Sequence, residues 1–109
     1  MSEVDLTALA KKMRANSERW FPSWHSDQLP VPLDVAYALG LVGEAGEVAN
    51  VVKKRIRDGA TDANLIDLAA ELADVFTYLM LLADECGIDM MYAYEMKLDE
   101  LEYRHGDKS

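Results

Sequence analysis

Two pairs of carboxylates stand alone inside long apolar stretches of this sequence. Glu44 and Glu47 are the only charged residues in the run VAYALGLVGEAGEVANVV. Glu71 and Asp74 are the only charged residues in the run LAAELADVFTYLMLLA. Each pair is spaced i,i+3, which places both carboxylates on the same side of a helix. Carboxylates grouped in this way are ligands for a hard divalent cation.

Both pairs lie on helix faces that should turn inward. At about 100° per residue, the face of Glu71 and Asp74 also carries Leu68, Val75, Tyr78 and Leu82. The face of Glu44 and Glu47 carries Tyr37, Val48 and Val51. A buried, unpaired carboxylate costs on the order of several kcal/mol. A cation between converging carboxylates would remove that cost, and an all-oxygen donor set suits Mg²⁺ or Mn²⁺.

Salt bridges or a di-iron centre could also account for the four acids. Basic side chains such as Lys53, Arg55 or Lys97 could neutralise some of them through salt bridges, without any metal. A di-iron bundle would need Glu-x-x-His pairs on two helices, but His25 falls in a loop and His105 near the C-terminus. The isolation of both pairs in apolar runs favours the metal-binding interpretation.

Helical periodicity predicts the elements that carry these acids. Apolar residues recur at three- and four-residue steps, with proline or glycine near the breaks, over residues 5–19, 32–57, 62–84 and 89–103. We expect Asp62 to cap the third helix and Gly59 to end the second. Trp20 extends the apolar stripe of the first helix, which predicts a place in the core. No period-two alternation is present, so the sequence predicts one all-α, four-helix-bundle-like domain over residues 1–109.

Composition narrows the possible function classes. The 20 acidic and 11 basic residues give a formal charge of −9. This balance argues against binding to nucleic acid polymers, whose phosphates need clustered Lys and Arg. The single cysteine, Cys86, excludes an internal disulfide and favours a cytoplasmic location. The longest uncharged apolar stretches fall short of the ~20 residues of a membrane span, so we expect no membrane association.

Three glycines, Gly40, Gly43 and Gly46, recur inside the second predicted helix. Each costs about 1 kcal/mol relative to alanine, which indicates either a close approach of helices or space for a ligand. The same helix is apolar on nearly every side between Val35 and Val52. One four-helix chain cannot cover all of that surface. We therefore expect a homodimer or homotetramer whose subunits pack through these helices.

The double acidic motif resembles the MazG-like superfamily of all-α nucleoside triphosphate pyrophosphohydrolases. Its signature is Glu-x-x-Glu on one helix followed by Glu-x-x-Asp on the next. The corresponding segments are LVGEAGEV and ELADVFTYL, with 23 residues between Glu47 and Glu71. Gly43 stands where many relatives have a further glutamate, which is similar to the dCTP pyrophosphatase-like branch. The resemblance covers roughly Leu33 to Gly106.

The resemblance implies roles for eight residues. The ligands of Mg²⁺, with Mn²⁺ as an alternative, would be Glu44, Glu47, Glu71 and Asp74. Glu44 or Glu47 would also be the base that activates water. Trp24, in the predicted loop FPSWHSDQLPVP, would stack on the base of the nucleotide. The remaining substrate contacts would be Lys54, Lys97 and Arg104. Tyr78 is a ninth candidate, because it shares the helix face of Glu71 and could hydrogen-bond a ligand, although a place in the core would explain it equally well.

The predicted function is metal-dependent hydrolysis of (deoxy)nucleoside triphosphates to the monophosphate and pyrophosphate. A pyrimidine substrate such as dCTP is expected from the branch that the sequence resembles. Two alternatives belong to other classes: a non-catalytic acidic helical oligomer that acts as an interaction protein, and a nucleotide sensor that binds without turnover. Metal-dependent stability and analysis of the products distinguish the three.

Overall fold

The computed structural model describes residues 4–106 and is built from helices. The four α-helices are α1 (Leu6–Trp20), α2 (Leu33–Asp58), α3 (Asp62–Glu85) and α4 (Met90–His105). A short 3-10 helix, Pro22–His25, lies in the segment that was predicted to be a loop. No strand occurs among the described residues, so the all-α prediction is confirmed.

Polar side chains fix the beginnings of three helices. Asp5 accepts a backbone hydrogen bond of 3.1 Å in the first turn of α1, and Asp89 caps α4 in the same way. A capping box starts α3, because Thr61 accepts from the backbone of Asn64 and the Asn64 side chain accepts from the Thr61 N–H. The prediction that Asp62 caps α3 is therefore wrong by one position. Thr61 makes the capping hydrogen bonds, and Asp62 is the first helical residue.

The short connection between α2 and α3 makes them an antiparallel pair. Gly59 ends α2 with a φ of 91°, a conformation that strains any residue with a side chain. The connection consists of residues 59–61, which is too short for α3 to leave α2. The two helices consequently pack along their length. This packing brings the acidic motif of one helix opposite that of the other.

The remaining helices leave the arrangement open. α1 packs against α3, whereas α4 packs chiefly against α1. The buried hydrophobic residues are Ala10, Ala36, Tyr37, Val51, Met80, Leu81 and Ala83. The radius of gyration is 17.2 Å, compared with about 13 Å for a compact domain of ~100 residues. One chain therefore does not close the bundle that the helical pattern suggests.

Helix α2 is long and apolar enough, by length and composition alone, to cross a membrane, with a mean hydropathy of 1.3. A single helix of this kind among residues 4–106 is weak evidence, because core helices of soluble proteins pass the same test. It packs along α3 and carries Glu44 and Glu47 near its middle. Charges at that depth are costly in a bilayer, and no membrane protein is indicated.

Candidate metal centre and adjoining pocket

Three carboxylates converge where α2 and α3 face each other. One oxygen from each of Glu44, Glu71 and Asp74 lies within 4.8 Å of the other two. Glu44 and Glu71 are half-buried, and Asp74 is exposed. The convergence follows directly from the antiparallel pairing, which sets the middle of α2 against the middle of α3. We refer to these three residues as the carboxylate cluster.

The fourth predicted ligand, Glu47, lies beside the carboxylate cluster and not within it. Its side chain is exposed and starts about one helical turn beyond Glu44. Its charge is nevertheless close enough to contribute to the raised pKa of Glu44. The structure thus brings three of the four predicted residues together and leaves the carboxylate of Glu47 at the edge.

The carboxylate cluster holds negative charge that no basic side chain among the described residues balances through an ion pair. The pKa of Glu44 is raised, first because the group is partly desolvated and then because Asp74 and Glu71 lie close to it. No Lys or Arg within residues 4–106 forms an ion pair with the cluster. Two of the basic residues that could have neutralised it bond elsewhere, Arg55 to Asn64 and Lys97 to Glu100. Salt bridges therefore do not explain why these acids occur in apolar runs.

The donor set fits a hard divalent cation. Oxygens about 2.1 Å from Mg²⁺ lie at most about 4.2 Å from one another, so small movements of these side chains would bring them into a coordination sphere. A cation there would offset the repulsion that raises the pKa of Glu44. His25, the histidine of the 3-10 helix, hydrogen-bonds Ser17 and is not part of the cluster. The structure gives no support to a di-iron site.

A cavity of about 490 Å³ opens onto the carboxylate cluster. Glu44 and Asp74 both belong to its lining. The rest of the wall is largely aromatic and consists of Trp20, Phe21, Trp24, Tyr37 and Tyr78, with Met13, Leu81 and the polar residues Asn16, Ser17 and Thr77. Small-molecule sites are typically apolar clefts of about 300–1,000 Å³ with a few polar groups. The fold therefore sets an aromatic cleft, called here the aromatic pocket, directly against an acidic centre.

Trp24 is held firmly at the wall of the aromatic pocket. Its ring stacks on Tyr37, with centroids 6.2 Å apart and planes 20° apart, and lies 6.3 Å from the ring of Tyr78. A second cavity of about 600 Å³ also borders Trp24. Its lining includes Arg14 and His25 and none of the acidic motif residues. The structure thus places Trp24 in the wall of the aromatic pocket, and its stacking on a nucleotide base stays a prediction.

Tyr78 joins the aromatic pocket to the carboxylate cluster. Burial raises the pKa of its hydroxyl, and the charges of Glu44 and Asp74 raise it further. The ring packs flat on α2 at Gly40, where a Cβ would lie 2.5 Å from a ring carbon. Gly40 therefore serves the close helix approach that the sequence indicated. Gly43 does not, because a Cβ there meets no atom within 4 Å.

Trp20 is not in the core, and that expectation from the sequence is wrong. Its side chain is 59% exposed, and the guanidinium of Arg19 lies 5.1 Å from the ring centroid. The last turn of α1 borders the aromatic pocket, so the apolar stripe of α1 ends at a cavity wall. The periodicity of a helix shows which residues share a face but not what covers that face.

Hydrogen bonds of His25 hold the 3-10 helix, which contains Trp24, in place. His25 Nε2 lies 3.0 Å from the hydroxyl of Ser17 and 3.4 Å from that of Tyr37. The imidazole therefore links α1, the 3-10 helix and α2. Nδ1 of His25 is buried and has no partner among the described residues. These hydrogen bonds of His25 position the neighbouring Trp24.

Sequence reasoning missed Asn16, a polar residue that lines the aromatic pocket. Its Oδ1 accepts from Arg19 at 3.3 Å, while its side-chain N–H groups have no partner among residues 4–106. Asn16 stands three residues after Met13, where the stripe of α1 should continue with an apolar residue. That interruption was the available signal. It marks a polar group on a largely aromatic wall.

The predicted phosphate-binding residues lie outside the aromatic pocket. Lys54 is exposed on α2, seven residues after Glu47 and so on the same stripe of the helix. Lys97 and Arg104 are on α4, where both pair with Glu100, at 3.0 and 3.3 Å. Lys54 therefore lies on the same side of α2 as Glu47. Lys97 and Arg104, in contrast, are not brought to the carboxylate cluster.

Opposed acidic motifs on an antiparallel helical pair, beside an aromatic cleft, define an all-α protein with a candidate site for a metal and a small ligand. The sequence matches the family described as the MazG nucleotide pyrophosphohydrolase domain over residues 35–108. This match covers more than half of the chain, and the chain belongs to that family. Divalent-metal dependence is general in the family. The MazG-like prediction is confirmed at this level.

One relative is the gene 37 protein of Mycobacterium phage L5, which is 44% identical over 69 residues. The aligned segment makes up 61% of this chain and 60% of the phage protein, whose name states no activity. No solved structure matches the chain. The family match begins at residue 35, so α1 and the 3-10 helix, which supply much of the aromatic pocket, precede it.

Proposed function

We propose that this chain hydrolyses a deoxynucleoside triphosphate to the monophosphate and pyrophosphate, with Mg²⁺ or Mn²⁺ at the carboxylate cluster. Family membership supports nucleotide pyrophosphohydrolase activity. The observation that carries the proposal is that Glu44 and Asp74 line both the carboxylate cluster and the aromatic pocket. A nucleotide whose base enters the pocket would hold its triphosphate at the acidic centre.

In the proposed reaction, a water oxygen attacks the α-phosphorus and forms a new P–O bond. The bond from that phosphorus to the oxygen bridging the β-phosphorus breaks, and pyrophosphate leaves with the electron pair. A bound divalent cation would neutralise charge on the phosphate oxygens and on the leaving group. Glu44, Glu71 and Asp74 alone would repel a triphosphate, so their part is to hold that cation.

Glu47 is the carboxylate that we assign as general base. It is exposed and lies outside the carboxylate cluster, so its oxygens remain available to accept a proton from water. It could instead complete the ligand set, and a metal titration separates the two roles. As a base, Glu47→Gln abolishes turnover and leaves Mg²⁺ binding close to wild type. As a ligand, it weakens metal binding as Glu71→Gln does.

The aromatic pocket is the proposed site for the base, and a pyrimidine such as cytosine is the proposed occupant. Stacking of a base on an aromatic ring stabilises binding by about 1–3 kcal/mol, and the place of Trp24 in the lining of the pocket supports this role. The amide of Asn16 both donates and accepts hydrogen bonds, which suits the edge of a pyrimidine. Preference for dCTP rests on the branch that the sequence resembles and is tested with a panel of nucleotides.

Phosphate contacts are proposed for Lys54, Lys97 and Arg104. Lys54 lies on the stripe of α2 that carries Glu47, so its ammonium group is the best placed of the three. Lys97 and Arg104 would have to exchange Glu100 for phosphate oxygens. Because guanidinium and ammonium groups bind phosphate strongly, that exchange is favourable once a triphosphate is within reach.

We also propose that the protein works in the cytoplasm. Its cysteine, Cys86, is an exposed free thiol, which a reducing compartment preserves. The substrate is a small nucleotide and not a nucleic acid polymer, because the net charge of −9 would repel a polyanion.

The proposed activity is tested with the purified chain, each canonical dNTP and Mg²⁺, followed by separation of the products. The expected products are dNMP and pyrophosphate, with turnover lost in Asp74→Asn and in Glu71→Gln. Glu95→Gln, an exposed acid on α4, is the matched control and should keep wild-type turnover.

Three results would contradict the proposal. Release of orthophosphate with dNDP would place the attack at another phosphorus. Nucleotide binding without turnover would favour a sensor. A melting temperature unchanged by EDTA, Mg²⁺ and nucleotide would favour a non-catalytic interaction protein.

A further inference from the structure

A buried ring nitrogen of His25 has no hydrogen-bond partner. His25 ends the 3-10 helix Pro22–His25 and follows Trp24 in the chain. Its Nε2 lies within hydrogen-bonding distance of two hydroxyls, those of Ser17 and Tyr37. Its Nδ1 is buried and bonds no group among residues 4–106. Because buried polar atoms are usually paired, an unpaired nitrogen on a titratable ring indicates a role beyond packing.

The surroundings of His25 suit the neutral imidazole and not the charged one. A hydroxyl both donates and accepts, so Ser17 and Tyr37 can bond Nε2 in either neutral tautomer. Burial raises the pKa of the Tyr37 hydroxyl, which therefore keeps its proton at neutral and acidic pH. A proton taken up from water makes both ring nitrogens donors, and Nδ1–H is then a buried, charged donor without an acceptor. Such a group costs more to leave unpaired than a neutral one.

The charged groups around His25 do not supply an acceptor for Nδ1. Arg14 and Glu18 of α1, and Asp27 of the loop after the 3-10 helix, line a cavity together with His25. Arg14 donates to Glu18 at 2.9 Å and to Glu85 of α3 at 2.6 Å. A positive imidazole is attracted by these acids and repelled by Arg14. No salt bridge joins His25 to an acid among the described residues, and none of these groups bonds Nδ1.

The 3-10 helix depends on His25 for its position. Among residues 4–106, the side-chain hydrogen bonds that join Pro22–His25 to α1 and α2 are the two of His25. No side chain caps the start of this helix, and 3-10 hydrogen bonds have poorer geometry than those of an α-helix. The cavity of about 600 Å³ that borders Trp24 and His25 gives both rings room to move. Loss of the His25 hydrogen bonds would therefore free Trp24 from its stack on Tyr37.

We infer that His25 is a positioning residue, which holds Trp24 in the wall of the aromatic pocket in its neutral form and releases Trp24 when it is protonated. A proton from water binds the bare ring nitrogen, and the ring moves toward solvent, where both N–H groups find acceptors. Trp24 moves with its neighbour, and the aromatic pocket loses that part of its wall. This effect on Trp24 does not depend on catalytic activity. The loss of nucleotide affinity that follows from it rests on the proposed function.

Acrylamide quenching of Trp24 fluorescence tests the role of His25 without any nucleotide. The chain has two tryptophans, so Trp20→Phe leaves Trp24 as the single reporter. In this background, quenching should increase as the pH falls from about 8 to about 5, the range in which histidine changes charge. The helical circular dichroism should stay constant over the same range.

Variants of the two histidines assign the change to His25. His25→Gln places an amide nitrogen near the position of Nε2 but takes up no proton, so quenching should stay low at every pH. His25→Ala removes the hydrogen bonds, so quenching should be high even at about pH 8. His105→Gln is the matched control, because His105 is the other histidine and is exposed at the end of α4. It should leave the increase unchanged.

Calorimetry with dCTP and Mg²⁺ connects the release of Trp24 to binding. The dissociation constants of the wild type and of His25→Gln should be about equal at about pH 8, whereas at about pH 5 that of the wild type should be about 5- to 150-fold higher. Protonation of the triphosphate and of the carboxylate cluster affects both proteins alike, so the comparison removes it. A quenching increase without dCTP binding by either protein would contradict the proposed function and still support the role of His25.

Three results would overturn the role of His25. The first is quenching that does not change with pH, and the second is an increase that persists in His25→Gln. The third is an increase that coincides with loss of helical circular dichroism, because unfolding would then explain it. If Trp20→Phe does not fold, heteronuclear NMR of the wild type decides, since the indole N–H signal of Trp24 should shift with pH and that of Trp20 should not.

Discussion

Gly40→Ala tests how closely α2 and α3 share the wall of the aromatic pocket. A Cβ at residue 40 would lie 2.5, 2.7 and 2.8 Å from three ring carbons of Tyr78. Non-bonded carbons are comfortable at about 3.5 Å or more, so the ring must move by about 1 Å. At Gly43 the same Cβ meets no atom within 4 Å. Gly43→Ala is therefore the matched control on the same helix.

The two substitutions should differ in their effect on stability. Alanine stabilises a helix interior by about 1 kcal/mol relative to glycine, and Gly43→Ala should gain that amount. Overpacking costs about 1–3 kcal/mol, which cancels or exceeds the same gain in Gly40→Ala. The difference between the variants is then about 1–3 kcal/mol. Each kcal/mol corresponds to roughly 4–8 °C in a domain of about this size, measured at one protein concentration.

The displaced Tyr78 should also impair the site. A misplacement of about 1 Å can cost up to about 100-fold in rate, so pyrophosphate release should fall in Gly40→Ala and persist in Gly43→Ala. A double-mutant cycle sharpens the test, because Gly40→Ala made in a Tyr78→Ala background should stabilise as Gly43→Ala does. Equal stabilisation by both alanines in the wild-type background, with activity kept, would refute the packing of Tyr78 on Gly40.

Four further predictions concern the cap, the carboxylates and the aromatic pocket. Because the pKa of Glu44 is raised in the folded state, the free energy of unfolding in EDTA should fall as the pH rises through that pKa. Thermal melts at a series of pH values should show this loss of stability in the wild type and not in Glu44→Gln. Added Mg²⁺ should abolish the loss in the wild type. Trp24→Ala should raise the dNTP dissociation constant about 5- to 150-fold by calorimetry and leave Mg²⁺ binding intact. Thr61→Ala should lower unfolding free energy by about 1 kcal/mol in denaturant titrations. Asn16→Ala should narrow the difference in kcat/KM between pyrimidine and purine dNTPs, and an unchanged ratio would remove Asn16 from base selection.

The helices were predictable because local physics decides them. Proline and glycine at the breaks and a 3.6-residue period located all four α-helices within about two residues. The Asp62 cap was wrong because Thr61 and Asn64 form a reciprocal pair, a three-residue arrangement that competes with any single favourable residue. The 3-10 turn at Pro22–His25 is too short to show a period.

The site was predictable only in part. Two acids alone in an apolar run need a cation or another partner to offset the cost of burying their charge, and this argument located Glu44, Glu71 and Asp74. It could not place Trp20, because the boundary between core and cavity depends on how α1 crosses α3. Nor could it place the α4 residue Lys97, since a helix that touches mainly α1 carries its charges away from the carboxylate cluster.

Hydrolysis in water labelled with heavy oxygen tests the central claim most directly. The chain is incubated with dCTP and Mg²⁺, and mass spectrometry locates the label in the products. Attack at the α-phosphorus predicts that one labelled oxygen appears in dCMP and none in pyrophosphate. Label in pyrophosphate, or in orthophosphate beside dCDP, would contradict the account, since it would show that water had attacked a phosphorus other than the one the site is proposed to present.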